Sequence, residues 1–266
     1  MDHQDRAASA RTWTAALRAS HERLTGILAG LDTTELTSAS YCDDWTIAQV
    51  LSHLGSGAEV FSRIVEAGLE GREPPGPETF PAVWDAWNAK SPERQVRDCE
   101  ESDKAFLEQI EAIDDARLEE FQLKLFGMDL DAPALIGMRE SEHALHSWDI
   151  EVSIDPWASL AQDAVDLLTD TIGMRAPRAA KPIGKPLNVL LETTDPKRVF
   201  LFSIDTEATV TEDPSDEQAD GASKVRLPSE ALIRLIAGRL DADHTPPEVD
   251  ASEETLADLR RAFKGF

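Results

Sequence analysis

The sequence predicts a two-domain α+β protein in which a helical bundle precedes a small mixed domain. Three observations carry that expectation. Apolar residues recur at three- and four-residue spacing through the first two-thirds of the chain, the period of amphipathic helices. The character of the sequence changes near Arg175, in "RAPRAAKPIGKP". Beyond that segment, short runs with strand character come first and helical segments follow, without regular alternation. The 266 residues are enough for one large domain or two ordinary ones. The expected division is a bundle over 1–174, a linker over 175–186 and an α+β domain over 187–266.

Taken in order, Trp13, Ala16, Leu17, Leu24, Ile27, Leu28 and Leu31 predict a first helix over about Ser9–Leu31. After the loop "DTTELTSASYCDDW", Thr46 and Gln49 form a capping-box pattern that opens a second helix. Its stripe is Ile47, Val50, Leu51, Leu54, Ala58, Phe61 and Val65. "GREPPGPETFP" is a proline- and glycine-rich connection, and "AVWDAWNAK" a short helical piece. Ser91-Pro92 places a cap residue and a first-turn proline before a helix running to about Ile113. "GMDLDAP" leads into a helix over roughly Pro133–Val152, and Asp155-Pro156 should open another containing Leu160, Ala164, Leu167 and Leu168. The strand segments are "LNVLLET", "RVFLFSI", "EATVTE" and "KVRL", and the closing helices are "SEALIRLIAGRL" and "EETLADLRRAFKGF".

Composition narrows the function. A formal charge of −25 argues against binding nucleic-acid backbones or anionic membranes, which need clustered Lys and Arg. No apolar stretch follows the polar start, so no signal peptide is expected, and no run approaches the roughly 20 apolar residues of a membrane span. Cys42 and Cys99 form no close pair, which points to a reducing cytoplasm with both thiols acting as small buried hydrophobes. From Thr171 to Leu191 the chain has no acid but carries Arg175, Arg178, Lys181 and Lys185. The plain reading is a solvated linker; the functional one is steering of anions towards a cleft between the domains.

"GMRESEHALHSWDIEVS" interrupts an apolar stripe with polar groups. At about 100° per residue, Glu142 and His146 lie about 40° apart on one helix face. A carboxylate and an imidazole on adjacent turns can bind one ion, and Asp149 is spaced to orient the His146 ring through its second nitrogen. Arg139 falls close to the same direction. A third donor must come from elsewhere. His53 is the candidate, mid-helix with the small Gly57 one turn on leaving space beside an imidazole. Two His and one Glu with open positions suit a catalytic metal, zinc first, although non-haem Fe(II) sites use the same donors. The bland alternatives are a surface Glu–His hydrogen bond and a satisfied semi-buried His53. His143 faces another direction, His21 and His244 read as structural, and His3 belongs to the polar start.

The segment "SYCDDWTIAQVLSHLGSGAE" resembles the signature of the mycothiol-dependent maleylpyruvate isomerase family, one of the DinB-like metal-binding four-helix bundles. The Glu142-His146-Asp149 segment with Arg139 upstream is similar to that family too, as are "VRLPSEALIRLIAGRLDADHTPP" and "LRRAFKGF". The resemblance spans nearly the whole chain. It implies His53, Glu142 and His146 as ligands of a divalent metal, and a sterol-carrier-like C-terminal domain. It also implies mycothiol as cosubstrate and a small electrophile as substrate, processed by cis–trans isomerisation or S-transfer. A monomer and a homodimer are equally compatible with it. Trp45 matches a characteristic aromatic and reads as packing. Arg139 is expected to pair with Glu142 or bind substrate anions, and Arg239 matches a recurring family residue. One departure stands out. "FPAVWDAWNAK" has no arginine, and Arg94 and Arg97 come late, so the expected counter-charge for a dicarboxylate is missing.

Overall fold

The computed structural model of the protein describes residues 5–265; the expectation for His3 falls outside them. The chain divides into two compact units, the first ending at Ala158 and the second beginning at Ser159.

In the first unit, α1 (Asp5–Leu28) is followed by a single turn, α2 (Thr33–Leu36), and then by α3 (Ile47–Leu69). A 3₁₀ turn at Pro77–Thr79 runs into α4 (Phe80–Asn88), followed by α5 (Pro92–Glu111) and the short α6 (Asp115–Glu120). A hairpin, β1 (Gln122–Leu125) and β2 (Met128–Asp131), precedes α7 (Ala132–Glu151). The four long helices close a ring: α1 packs on α5 and α7, and α3 packs on the same two. Leu51, Leu54, Ile64, Phe106, Leu107, Ile110 and Trp148 fill its interior. The α3 start is the expected capping box. Thr46 N–H donates to Gln49 Oε1 at 2.8 Å, and Gln49 N–H donates to Thr46 Oγ1 at 3.3 Å. Asp131 caps α7 by accepting from Ala134 N–H at 3.0 Å. Pro92 opens α5 as expected, but Ser91 makes no side-chain cap bond. Gly55 is required by close approach, since a Cβ there would lie 2.3 Å from the Trp87 ring.

Two segments differ from the sequence reading. The stretch through "GMDLDAP", to which the sequence reading gave no element, is part of the hairpin, turned by Phe126 and Gly127 with positive φ. Asp155-Pro156 does not open a helix. The Asp155 carboxylate accepts from Trp157 N–H at 3.0 Å, two residues on, making a turn instead of a cap. Trp148 Nε1–H donates to Ala158 O at 2.9 Å and fastens that turn.

The second unit begins with α8 (Gln162–Thr169) and α9 (Ile172–Ala179), so the expected linker at 175–186 is helical in its first part. Ile172 and Ala176 are buried, α9 packs on β5 and α8 on α10, which is why the unit starts before the basic segment. The strands are β3 (Leu187–Thr193), β4 (Val199–Ile204), β5 (Ala208–Glu212) and β6 (Ser223–Leu227), followed by α10 (Ser229–Ile236) and α11 (Glu253–Ala262). The sheet order is β5-β4-β3-β6, with β3 and β6 parallel and the other pairs antiparallel. All four strands match the segments read from the sequence. Lys185 does not present a free charge: its Nζ lies 2.6 Å from Asp258 and 3.4 Å from Glu254. No described helix is long and apolar enough to cross a membrane.

Candidate metal centre

Neighbouring helices α3 and α7 bring three donors together. His53 Nε2 lies 3.2 Å from Glu142 Oε2, which lies 3.7 Å from His146 Nε2. The two imidazole centroids are 4.6 Å apart, and one donor atom from each residue falls within 4.8 Å of the others. Donors about 2.0–2.1 Å from a tetrahedral ion sit roughly 3.3 Å apart. The three side chains therefore fit a shared cation. The site is open on one side, with the Glu142 side chain 48% exposed, His53 33% and His146 13%.

Glu142 carries the negative charge that such a role would need. Desolvation raises its pKa, but the hydrogen bond to His53 and the charges of His146, His53 and Arg139 outweigh it and hold the carboxyl at about 2. The carboxylate is ionised at neutral pH. Behind the site, fully buried Asp149 places Oδ2 2.8 Å from His146 Nδ1. A proton on Nδ1 leaves the Nε2 lone pair facing Glu142, the tautomer a ligand needs.

Two further residues lie at the centre, and of these Cys42 takes another place than the sequence reading gave it. Cys42 is not a buried hydrophobe: it is half-exposed, and its thiol donates to Asp149 Oδ2 at 3.0 Å. Trp45 packs against the site itself, with its ring 5.4 Å from that of His53 and 6.5 Å from that of His146. Both fall inside "SYCDDW", just ahead of the α3 cap, in the segment whose family resemblance singled out Trp45 but not Cys42.

Arg139 does not join the centre. It is 1% exposed, forms a tight ion pair with Asp103 on α5, and donates to Leu54 O at 2.9 Å. Gly57 makes room for this guanidinium and not for an imidazole; a Cβ there would lie 3.0 Å from Arg139 Nη1. Burial opposes ionisation of Asp103, yet Arg139 and His143 hold it down at about 2. His143 Nε2 lies 3.3 Å from Asp103 Oδ2, and Ser20 Oγ lies 2.8 Å from His143 Nδ1. Burial lowers the pKa of His21, whose ring packs edge-on to His143. His21, Asp103 and His143 also have donors within one ion's reach. There, however, Arg139 already balances Asp103, and a dication would sit buried beside a guanidinium. We assign this cluster to the fold. His244 bonds Asp241 at 2.9 Å, and Arg239 donates to Ala237 O at 3.0 Å.

A family model described as the mycothiol maleylpyruvate isomerase N-terminal domain matches residues 17–151, about half of the chain. The chain belongs to this family. The matched residues contain all three donors, Asp149, Cys42 and Trp45. Two solved structures resemble nearly the whole chain: a mycothiol-dependent maleylpyruvate isomerase and a histidine-to-alanine mutant of it. Each is 16% identical, with a TM-score of 0.60 over 94% of this chain and 97% of the other. At that identity the likeness speaks to the fold. No curated protein matches the chain in sequence.

Proposed function

We propose that the protein is a metal-dependent enzyme that uses a low-molecular-weight thiol, mycothiol, to isomerise or S-conjugate a small electrophile. The observation that carries this reading is the meeting of His53, Glu142 and His146 around one open point, with Asp149 behind His146. Zinc suits an imidazole–carboxylate donor set of this spacing. When bound, the ion would supply acidification of a nearby thiol and positive charge for the oxygen of a developing enolate.

The chain's own residues do the rest. His53 and His146 present lone pairs, Glu142 supplies one negative charge, and Asp149 retains the Nδ1 proton of His146 throughout. Trp45 gives the opening an apolar wall. In an isomerisation, the thiolate adds to an activated cis double bond while the π electrons move to the conjugated oxygen. The new single bond rotates, and the electrons return to expel the same thiolate, leaving the trans alkene. In a transfer, the carbon–sulfur bond stays and a leaving group departs with its electron pair.

We favour a substrate with less negative charge than a dicarboxylate. Helix α4 carries no cationic residue, while Lys90, Arg94 and Arg97 all surround Asp98 at 3.1, 3.3 and 3.5 Å. A chain of net charge −25 also repels dianions at long range. Two free thiols suit a reducing cytoplasm. The test is turnover by metal-loaded protein with mycothiol, with glutathione and without thiol, on maleylpyruvate and on a neutral aryl halide. Activity that requires both metal and mycothiol supports the proposal. Equal rates without thiol would indicate a hydrolase, and metal binding without any turnover a binding protein.

A further inference from the structure

We infer that Cys42 is a positioning residue of the metal centre, acting on His146 through Asp149. The inference rests on the metal-centre reading above and extends it to a residue outside the donor set. Three atoms form a short relay: the Cys42 thiol donates to Asp149 Oδ2 at 3.0 Å, and the same oxygen lies 2.8 Å from His146 Nδ1. Cys42 Sγ is 3.7 Å from that nitrogen. The thiol therefore sets where the carboxylate oxygen sits, and the carboxylate sets which ring nitrogen carries the proton. Asp149 is fully buried, so a donor to its oxygen steadies a charge that water does not reach.

The backbone around Cys42 is built to hold this contact. Tyr41 N–H donates to Asp149 O at 3.1 Å, and the Tyr41 ring packs edge-on to Trp148 at 4.8 Å. Cys42 N–H donates to Ser40 Oγ at 3.2 Å, and Trp45 N–H donates to Cys42 O at 3.1 Å. Asp44 closes the turn with a positive φ of 65°. One tight turn thus places a thiol behind His146 and an indole in front of it. Cys42, His146 and Asp149 also lie within one ion's reach of each other. The 2.8 Å and 3.0 Å separations are those of hydrogen bonds, so the thiol serves as a donor to Asp149 and not as a ligand.

Two measurements on the full chain test this. In the metal-free protein, side-chain ¹⁵N spectra should show His146 protonated at Nδ1 in the wild type and in Cys42→Ser, and a mixture of tautomers in Cys42→Ala. In a competitive zinc titration, Cys42→Ala should weaken affinity about tenfold, the low end for loss of a group supporting a ligand, while Cys42→Ser stays within about threefold. Equal loss in both variants would mean packing alone, and no loss in either would mean no role; each overturns the inference. A thiolate-to-cobalt absorption band in the Co(II)-loaded wild type would overturn it too, by making Cys42 a ligand. Failure of the wild type to bind metal would sink the metal centre itself, whereas the tautomer result reports on the relay separately.

Discussion

Replacing Arg139 by methionine separates a role in the fold from a role at the site. Arg139 is 1% exposed, and the Asp103 side chain opposite is 4% exposed. The change takes the guanidinium from a carboxylate buried among α3, α5 and α7 and removes the side-chain donor to Leu54 O. Breaking a buried ion pair in this way costs about 3–5 kcal/mol. At about 2–4 °C per kcal/mol for a chain of this size, the midpoint of thermal unfolding should fall by roughly 6–20 °C. The assay is thermal and urea unfolding followed by circular dichroism on metal-free protein at neutral pH, with zinc titration of the folded variant at low temperature. Adding Asp103→Asn to Arg139→Met removes the stranded charge and should recover most of the loss. Zinc affinity should change by less than the ten- to hundredfold range typical of groups that support a ligand. If Arg139→Met unfolds within about 1 kcal/mol of wild type while losing metal or activity, the residue serves the site and the structural assignment is wrong.

Asp103 gives a pH signature. Its native pKa of about 2 lies below the roughly 3.9 of an unfolded chain, so it contributes stability that is complete above about pH 4 and lost as pH falls through 2. The contribution is about 2–3 kcal/mol, and acid-unfolding curves of Asp103→Asn should lack it; an unchanged acid limb would contradict the pairing. Glu142→Gln should weaken zinc binding at least tenfold in a competitive titration while lowering metal-free stability by about 1 kcal/mol at most, because solvent screens the pairs of a side chain 48% exposed; unchanged affinity would remove Glu142 from the donor set. Gly55→Ala should destabilise by about 1–3 kcal/mol in urea, the typical cost of overpacking, because its Cβ would meet the Trp87 ring at 2.3 Å; a neutral result would mean that α3 and α4 separate easily.

That Glu142 and His146 would lie side by side was legible because their spacing obeys helical geometry, while His53 entered as a candidate and through the family resemblance. The four-residue spacing of Glu142 and His146 fixes their common face, and the capping box at Thr46 and Gln49 fixes the start of the helix that carries His53. Residues placed by long-range packing were not legible. Arg139 lies on nearly the same helix face as Glu142, yet its partner is Asp103, 36 positions earlier in the chain. Cys42 sits in an irregular turn, where no period indicates what the side chain meets, and only the fold brings it to Asp149. The four-residue strands of the hairpin are too short to show alternation against the polar "GMDLDAP". Likewise, Arg175, Pro177 and Arg178 gave α9 the look of a linker, although Ile172 and Ala176 bury its other face. The strands of the second unit, in contrast, carry dense runs such as "LNVLLET", whose alternation survives in the burial of β3.

Bound zinc per chain is the most direct measure of the central claim. It should be determined by elemental analysis after dialysis against a weak chelator, for the wild type, His53→Ala and His146→Ala. The wild type should hold about one ion, and each variant close to none while keeping its helical circular dichroism. One ion retained by both variants would contradict the assignment.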